Sequence, residues 1–212
     1  MQKLEFLDIP QNTDEWLQLR SAKPTSSKLG VIMANYPKAF GEPAKKYAAN
    51  IAVEVLTGKP IPSDYSNDHM ARGHAEEPIA NELYQAQTFQ AVTNGGIFVG
   101  DRFACSPDGL VDESGVIEIK SVIPSVQFAN IKRGKVDPAY KWQCVGNLYA
   151  PDREWLDFIS HCANFPEGNQ LFIHRIRKED LQEEFKMIDG RLDKFWSLVE
   201  ESINIINKNK GA

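Results

Sequence analysis

The stretch Ser106-Pro107-Asp108-Gly109-Leu110, followed by Val116-Ile117-Glu118-Ile119-Lys120, decides the reading of this chain. Pro-Asp-Gly marks a turn. Residues 116 to 120 are rich in β-branched side chains and alternate weakly, which predicts a strand. On a strand, positions 118 and 120 point to the same side. A glutamate and a lysine are otherwise poor choices among Val116, Ile117, Ile119 and Val122. Two converging carboxylates make a hard-oxygen site suited to Mg²⁺ or Mn²⁺. A lysine beside them can orient or deprotonate a metal-bound water, which is the chemistry of phosphodiester hydrolysis. The same residues also suit an ordinary β-hairpin with a surface Glu–Lys pair, so this reading needs corroboration elsewhere.

The whole chain sets the bounds. At 212 residues it is long enough for one large domain with a substantial core, and we read residues 1–212 as a single domain. Its 42% hydrophobic and 25% charged content fits a globular protein. No apolar run approaches the ~18 residues needed to span a membrane. The N-terminus carries Glu5 and Asp8 where a signal peptide needs an unbroken apolar core, so the expected location is the cytoplasm. The three cysteines, Cys105, Cys144 and Cys162, form no C-x-x-C pair and sit among apolar residues, which predicts buried free thiols and disfavours a zinc or iron–sulfur site. A net charge of −5 excludes a generic nucleic-acid coat, but not a nuclease whose carboxylates gather at a metal site.

Along the chain, Asn12 or Thr13 can cap a short helix through Trp16, Leu17, Leu19 and Arg20, ended by Pro24. Thr25 or Ser26 can cap a second helix through Leu29 and Met33. Residues 35 to 43 read as a loop, in which Lys38 and Phe40 are candidates for a strand-splitting wedge. Residues 44 to 57 show helical spacing and stop at Gly58-Lys59-Pro60, and residues 68 to 87 read as a helix that Pro78 is expected to kink. Short strands occupy Gly95 to Ser121. Residues 125 to 149 read as helical in parts, around the basic loop Lys132-Arg133-Gly134-Lys135. Two strands follow at 154 to 161 and 170 to 177. The last helix, from about Lys178 to Asn207, carries Phe185, Ile188, Leu192, Phe195 and Val199 at core-facing spacing. Helices, a central sheet and a closing helix predict an α/β or α+β sandwich.

Four ordered blocks carry a resemblance. The first is Trp16-Leu17-Gln18-Leu19-Arg20 with Thr25-Ser26-Ser27, the second Gly73-His74-Ala75-Glu76-Glu77-Pro78-Ile79-Ala80, the third the Asp108, Glu118 and Lys120 motif, and the fourth Tyr140-Lys141-Trp142-Gln143. Together they resemble the PD-(D/E)xK nuclease superfamily and, within it, the lambda exonuclease or YqaJ-like viral recombinase family, from about Trp16 to Ala150. The resemblance implies a restriction-endonuclease-like core, a central mixed β-sheet flanked by helices. It implies that Glu77, Asp108, Glu118 and the backbone carbonyl of Ile119 hold two Mg²⁺ ions, which Mn²⁺ can replace. It makes Lys120 the catalytic lysine and places Gln143 beside the metals. Glu76 then reads as a solvated side chain. Arg20, Ser27 and Ser106 are implied to hold a terminal 5′-phosphate, and on their own chemistry a guanidinium and hydroxyls near a helix start suit an anion. Ala22 and Ser26 depart from the family's usual Gly and Ala at those places, and Val145 stands where many members carry a second Gln.

The expected activity is therefore Mg²⁺-dependent 5′→3′ exonucleolysis of linear double-stranded DNA from a 5′-phosphorylated end, leaving 3′ overhangs. The resemblance further implies a ring-shaped homotrimer and a single-strand annealing protein as partner. Two rivals stand beside it: a structure-specific or restriction-like endonuclease on the same fold, and a catalytically idle DNA-end-binding protein.

Overall fold

The computed structural model describes residues 4–62, 68–151 and 153–209; the side chains of 68–71 fall outside that description. Strand β1 (Glu5–Leu7), which the sequence patterning did not reveal, precedes helix α1 (Asp14–Arg20). The Thr13 hydroxyl caps α1 by accepting the Trp16 N–H at 3.3 Å, and Asp14 and Glu15 put acid at its positive end. Beyond α1, Ala22 turns left-handed at φ 59°. A 3₁₀ turn over Ser26–Lys28 leads into α2 (Leu29–Met33), and neither Thr25 nor Ser26 supplies the expected side-chain cap. Helix α3 (Glu42–Thr57) ends where Gly58 adopts a left-handed φ of 65°. Helix α4 (Asp68–Thr88) carries Pro78 in its interior.

Strands β2 (Val92–Asn94), β3 (Ile97–Val99), β4 (Ala104–Cys105), β5 (Gly109–Val111) and β6 (Gly115–Ser121) come next. Helices α5 (Pro124–Arg133) and α6 (Lys141–Tyr149) then lead to β7 (Trp155–His161) and β8 (Leu171–Arg177), and α7 (Gln182–Lys208) follows a 3₁₀ turn. Lys132 and Arg133 belong to the last turn of α5, where their charge complements the helix dipole, rather than to a loop.

One sheet has the order β1-β3-β4, the other β2-β5-β6-β7-β8. In the larger sheet β6 and β7 run parallel and every other pair antiparallel, so it is mixed, as the sequence led us to expect. A parallel pair needs a long crossover, and α5 and α6 provide it. The alternation of β6 and β7 divides the core. Val116, Leu156 and Phe158 face the larger apolar cluster built by α2, α3, α6 and α7. Ile117, Ile119, Trp155 and Ile159 face the other way, onto Ala80 and Tyr84 of α4.

Helix α7 buries Phe185, Ile188, Leu192, Phe195 and Val199. Each such side chain contributes roughly 1.5–3 kcal/mol on leaving water. The same helix pins the loop at 35 to 41, because buried Arg191 donates to the carbonyls of Ile32, Ala34 and Lys38 at 2.9, 3.1 and 2.8 Å. Phe40 lies beneath that guanidinium and edge-on to Phe195, so it is packed onto the core rather than free to act as a wedge. All three cysteines are free and buried.

Candidate active site

Strand β6 is the middle strand of its sheet, and its central acid is fully buried: Glu118 is 0% exposed. A lone carboxylate there would be costly, so its partners explain its presence. Lys120, two residues along and on the same face, donates to Glu118 Oε1. From α6, Gln143 Nε2 reaches Oε1 at 2.5 Å and Asn147 Nδ2 reaches Oε2 at 2.7 Å. Gln143 and Asn147 are one helical turn apart and share a face. Gly146 lets α6 come this close, since a Cβ there would meet Leu29 at 2.6 Å and Ser26 at 2.9 Å. Asn147 was missed from the sequence, although its spacing of four from Gln143 was a usable signal.

Asp108 sits in the turn before β5. Its N–H bonds the Ile117 carbonyl at 3.0 Å, and its Oδ2 accepts from the Ile119 N–H at 2.6 Å. The turn is crowded: a Cβ on Gly95 would fall 1.8 Å from the Pro107 carbonyl oxygen, so only glycine fits. The hairpin of β5 and β6 thus brings Asp108 to the C-terminal half of β6.

Glu77 reaches the same place from α4. A cavity of about 1230 Å³ is lined by Glu77, Asp108, Ile119 and Lys120, with Trp16, Arg72, His74 and Tyr140 around them. Glu118, Gln143, Arg20, Ser27 and Ser106 do not line it; Glu118 and Gln143 stand behind Lys120. Glu76 is not the solvated side chain expected. Its carboxylate is largely buried and lies 3.6 Å from His161 Nδ1.

The electrostatics follow from burial. Burial and the neighbouring Asp108 push Glu77 up to about 7, against the pull of Lys120. Burial and Asp108 push Glu118 up to about 7 as well. Burial also raises Asp108, opposed by Lys120 and by the Ile119 N–H. Burial works against the Lys120 ammonium, but Glu118 and Asp108 outweigh it and hold its pKa above the ordinary value. In this arrangement Lys120 is a cation and a hydrogen-bond donor, not a proton acceptor.

Three acids sharing one lysine leave excess negative charge in a partly buried site, and a hard divalent cation neutralises such a set. Among the described residues no three His, Cys, Asp or Glu side chains stand together as a finished metal cage. The fit therefore rests on the chemistry of the donors: carboxylate oxygens whose charged forms are destabilised by burial and by one another.

The expected phosphate group is also drawn together. Arg20 Nη2 donates to Ser27 Oγ at 3.1 Å, and the Arg20 guanidinium stacks 4.0 Å above the Trp16 ring. Trp16 Nε1 in turn donates to Ser106 Oγ at 3.0 Å. Trp16 is thus the link between Arg20 and Ser106, and it also lines the cavity. Burial lowers the Arg20 pKa, and Glu118 is among the groups that oppose this, which ties the guanidinium electrostatically to the acidic centre.

The chain and its fold have known relatives. The sequence pattern of the YqaJ-like viral recombinase domain matches residues 15–154, well over half of the chain. The chain belongs to the YqaJ-like viral recombinase family. Among solved structures, the alkaline exonuclease LHK-Exo from Laribacter hongkongensis is similar to this YqaJ-like chain at 29% identity and a TM-score of 0.80, covering 94% of this chain and 98% of its own. LHK-Exo in complex with dAMP matches at 30% identity and a TM-score of 0.81, with the same coverage. A phage-related exonuclease from Haemophilus somnus 129PT, at 14% identity and a TM-score of 0.64, shares the fold over 92% of this chain and 99% of its own. No curated protein sequence matches. Family and neighbours together support a nuclease of the lambda exonuclease type.

Proposed function

We propose that this YqaJ-like chain is a Mg²⁺-dependent 5′→3′ exonuclease that degrades one strand of linear double-stranded DNA from a 5′-phosphorylated end. The observation that carries the proposal is the convergence of Glu77, Asp108 and Lys120 on one cavity, joined through Trp16 to Arg20, Ser27 and Ser106. An acidic centre beside a phosphate-gripping cluster suits cleavage at a fixed distance from a strand end.

Glu77, Asp108, Glu118 and the Ile119 carbonyl would hold two Mg²⁺ ions, with Mn²⁺ as a substitute. Such ions, when bound, lower the pKa of a water and neutralise charge on the leaving oxygen. The chain's own residues do the rest. Lys120, held as a cation, donates to the attacking water and to the phosphoryl oxygens as charge gathers on them. Gln143 and Asn147 keep Glu118 in one orientation by occupying both of its oxygens. Arg20 and the hydroxyls of Ser27 and Ser106 grip the terminal 5′-phosphate. In the reaction, water oxygen bonds to the first internucleotide phosphorus, the P–O3′ bond breaks, and the 3′-oxygen takes a proton. A 5′-mononucleotide leaves, and the shortened strand carries a new 5′-phosphate that the same cluster can grip again.

The family resemblance adds a homotrimeric ring around the duplex, 3′ overhangs used in recombination with a single-strand annealing protein, and action in a bacterial or phage-infected cytoplasm. No helix of the described residues is long and apolar enough to cross a membrane.

The proposal is tested by Lys120→Ala and Asp108→Ala on linear 5′-phosphorylated duplex with Mg²⁺. Both should lose at least a hundredfold in turnover; wild-type turnover in either variant contradicts the assignment.

A further inference from the structure

At one side of the cavity, where Arg72 and Ser121 reach its lining, lies a second polar cluster that this mechanism does not use. Arg72 Nε and Glu76 Oε2 on α4, Ser121 Oγ at the end of β6 and His161 Nδ1 at the end of β7 are all buried polar atoms without a hydrogen-bond partner. The only other such atom among the described residues is Asn147 Oδ1. The four belong together. Arg72 Nη2 donates to the Ser121 carbonyl at 3.2 Å, His161 Nδ1 lies 3.6 Å from Glu76 Oε2, and Ser121 pairs with His161 across β6 and β7.

A buried polar atom left unpaired costs about 1–3 kcal/mol. The rest of this interface is apolar, with Ala80 and Tyr84 against Ile117 and Ile119, and well-packed apolar residues at the four positions would serve cohesion at least as well. What polar groups add is direction. Apolar contacts let a helix slide along a sheet, whereas directional polar contacts, here Arg72 on the Ser121 carbonyl and Glu76 beside His161, favour one register.

The register matters because members of the cluster adjoin the candidate site. Glu76 precedes Glu77, and Ser121 follows Lys120. On the helix, successive side chains point about 100° apart, so Glu76 meets the sheet while Glu77 meets the cavity. On the strand, alternation sends Lys120 to one face and Ser121 to the other. A slip of one helical residue moves Glu77 by about 1.5 Å, while a metal ligand must be placed to within about 0.2 Å.

We infer that Arg72, Glu76, Ser121 and His161 form a positioning cluster that fixes α4 against the end of β6 and so sets Glu77 relative to Asp108 and Lys120. The inference rests on the proposed role of Glu77 in holding metal. In this role the four act through Glu77.

The test titrates Mg²⁺ against the melting temperature of wild type, Glu76→Gln, His161→Gln and Ser121→Ala, with Ile188→Val as a core variant of ordinary destabilisation. DNA affinity is read in parallel with 5′-phosphorylated duplex in chelator. Glu76→Gln should raise the half-saturating Mg²⁺ about tenfold or more, the loss expected when support behind a metal ligand is removed, and His161→Gln should follow it. Ser121→Ala should raise it at least twofold. DNA affinity in chelator should stay within twofold for Glu76→Gln and His161→Gln, and Ile188→Val should shift the melting temperature but not the Mg²⁺ midpoint. The inference is overturned if the midpoint of Glu76→Gln stays within twofold of wild type or, should that variant not fold, if that of Ser121→Ala is unchanged. It is equally overturned if Ile188→Val moves the midpoint as far. A wild type that gains no stability from Mg²⁺ sinks the proposed function instead.

Discussion

Asn147 Nδ2 donates to Glu118 Oε2 at 2.7 Å, with both side chains fully buried, so a carboxylate inside the central sheet is held by an amide from α6. Removing the amide leaves a buried charge short of one bond. Asn147→Ala should lower stability by about 1–3 kcal/mol and turnover by about 10–100-fold. Denaturant unfolding and single-turnover cleavage check the two effects separately. Asn147→Asp, which places a second acid against Glu118, should cut turnover further than the alanine.

The raised pKa values of Glu77 and Glu118, each about 7, make stability depend on pH. An acid whose folded pKa lies above its unfolded value binds its proton more tightly when folded. Its favourable share is complete below about pH 4.5, the ordinary value, and is lost as pH rises through about 7. In chelator, the melting temperature should therefore fall between these limits because of these two groups. Mg²⁺ should restore more stability at pH 8 than at pH 5.5, since the deprotonated forms bind it. Melting scans with and without Mg²⁺ across this range provide the check; a Mg²⁺ effect that does not grow with pH contradicts the donor assignment.

Trp16→Phe keeps an aromatic ring under Arg20 but removes the indole N–H that orients Ser106. One hydrogen bond contributes about 0.5–1.5 kcal/mol net. The preference for a 5′-phosphate over a 5′-hydroxyl end should fall several-fold, measured as the ratio of initial rates on the two substrates.

Ala22 occupies a left-handed turn at φ 59°, and its N–H donates to Glu54 Oε2 at 2.8 Å. Glycine enters this region of backbone conformation without the strain a Cβ brings. Ala22→Gly should therefore stabilise the chain by up to about 1 kcal/mol, whereas Glu54→Ala should destabilise it. Equilibrium unfolding distinguishes the two.

Much of this architecture was legible in the chain because local signals agreed with tertiary ones. Thr13, Gly58 and the stripe on α7 mark their helices by capping and periodicity alone. The Asp108, Glu118 and Lys120 pattern was visible because charge is so unfavourable in a central strand. What escaped depends on partners distant in sequence. Strand β1 has no pattern of its own and exists by pairing Phe6 with Phe98. Glu76 looked like surface because nothing in its helix foretells His161. Phe40 looked free because Arg191, far along the chain, is what packs over it.

The central claim is that Asp108, Glu118 and Lys120 cut DNA only from a gripped 5′ end. Its most direct test is digestion of linear duplex phosphorylated at one 5′ end only, beside closed-circular duplex of the same sequence, with Mg²⁺ and each strand labelled separately. We predict that the circle stays intact, the 5′-phosphorylated strand is lost from that end as mononucleotides, and its 5′-hydroxyl complement survives. Cleavage of the circle, or loss of the 5′-hydroxyl complement first, would contradict the account.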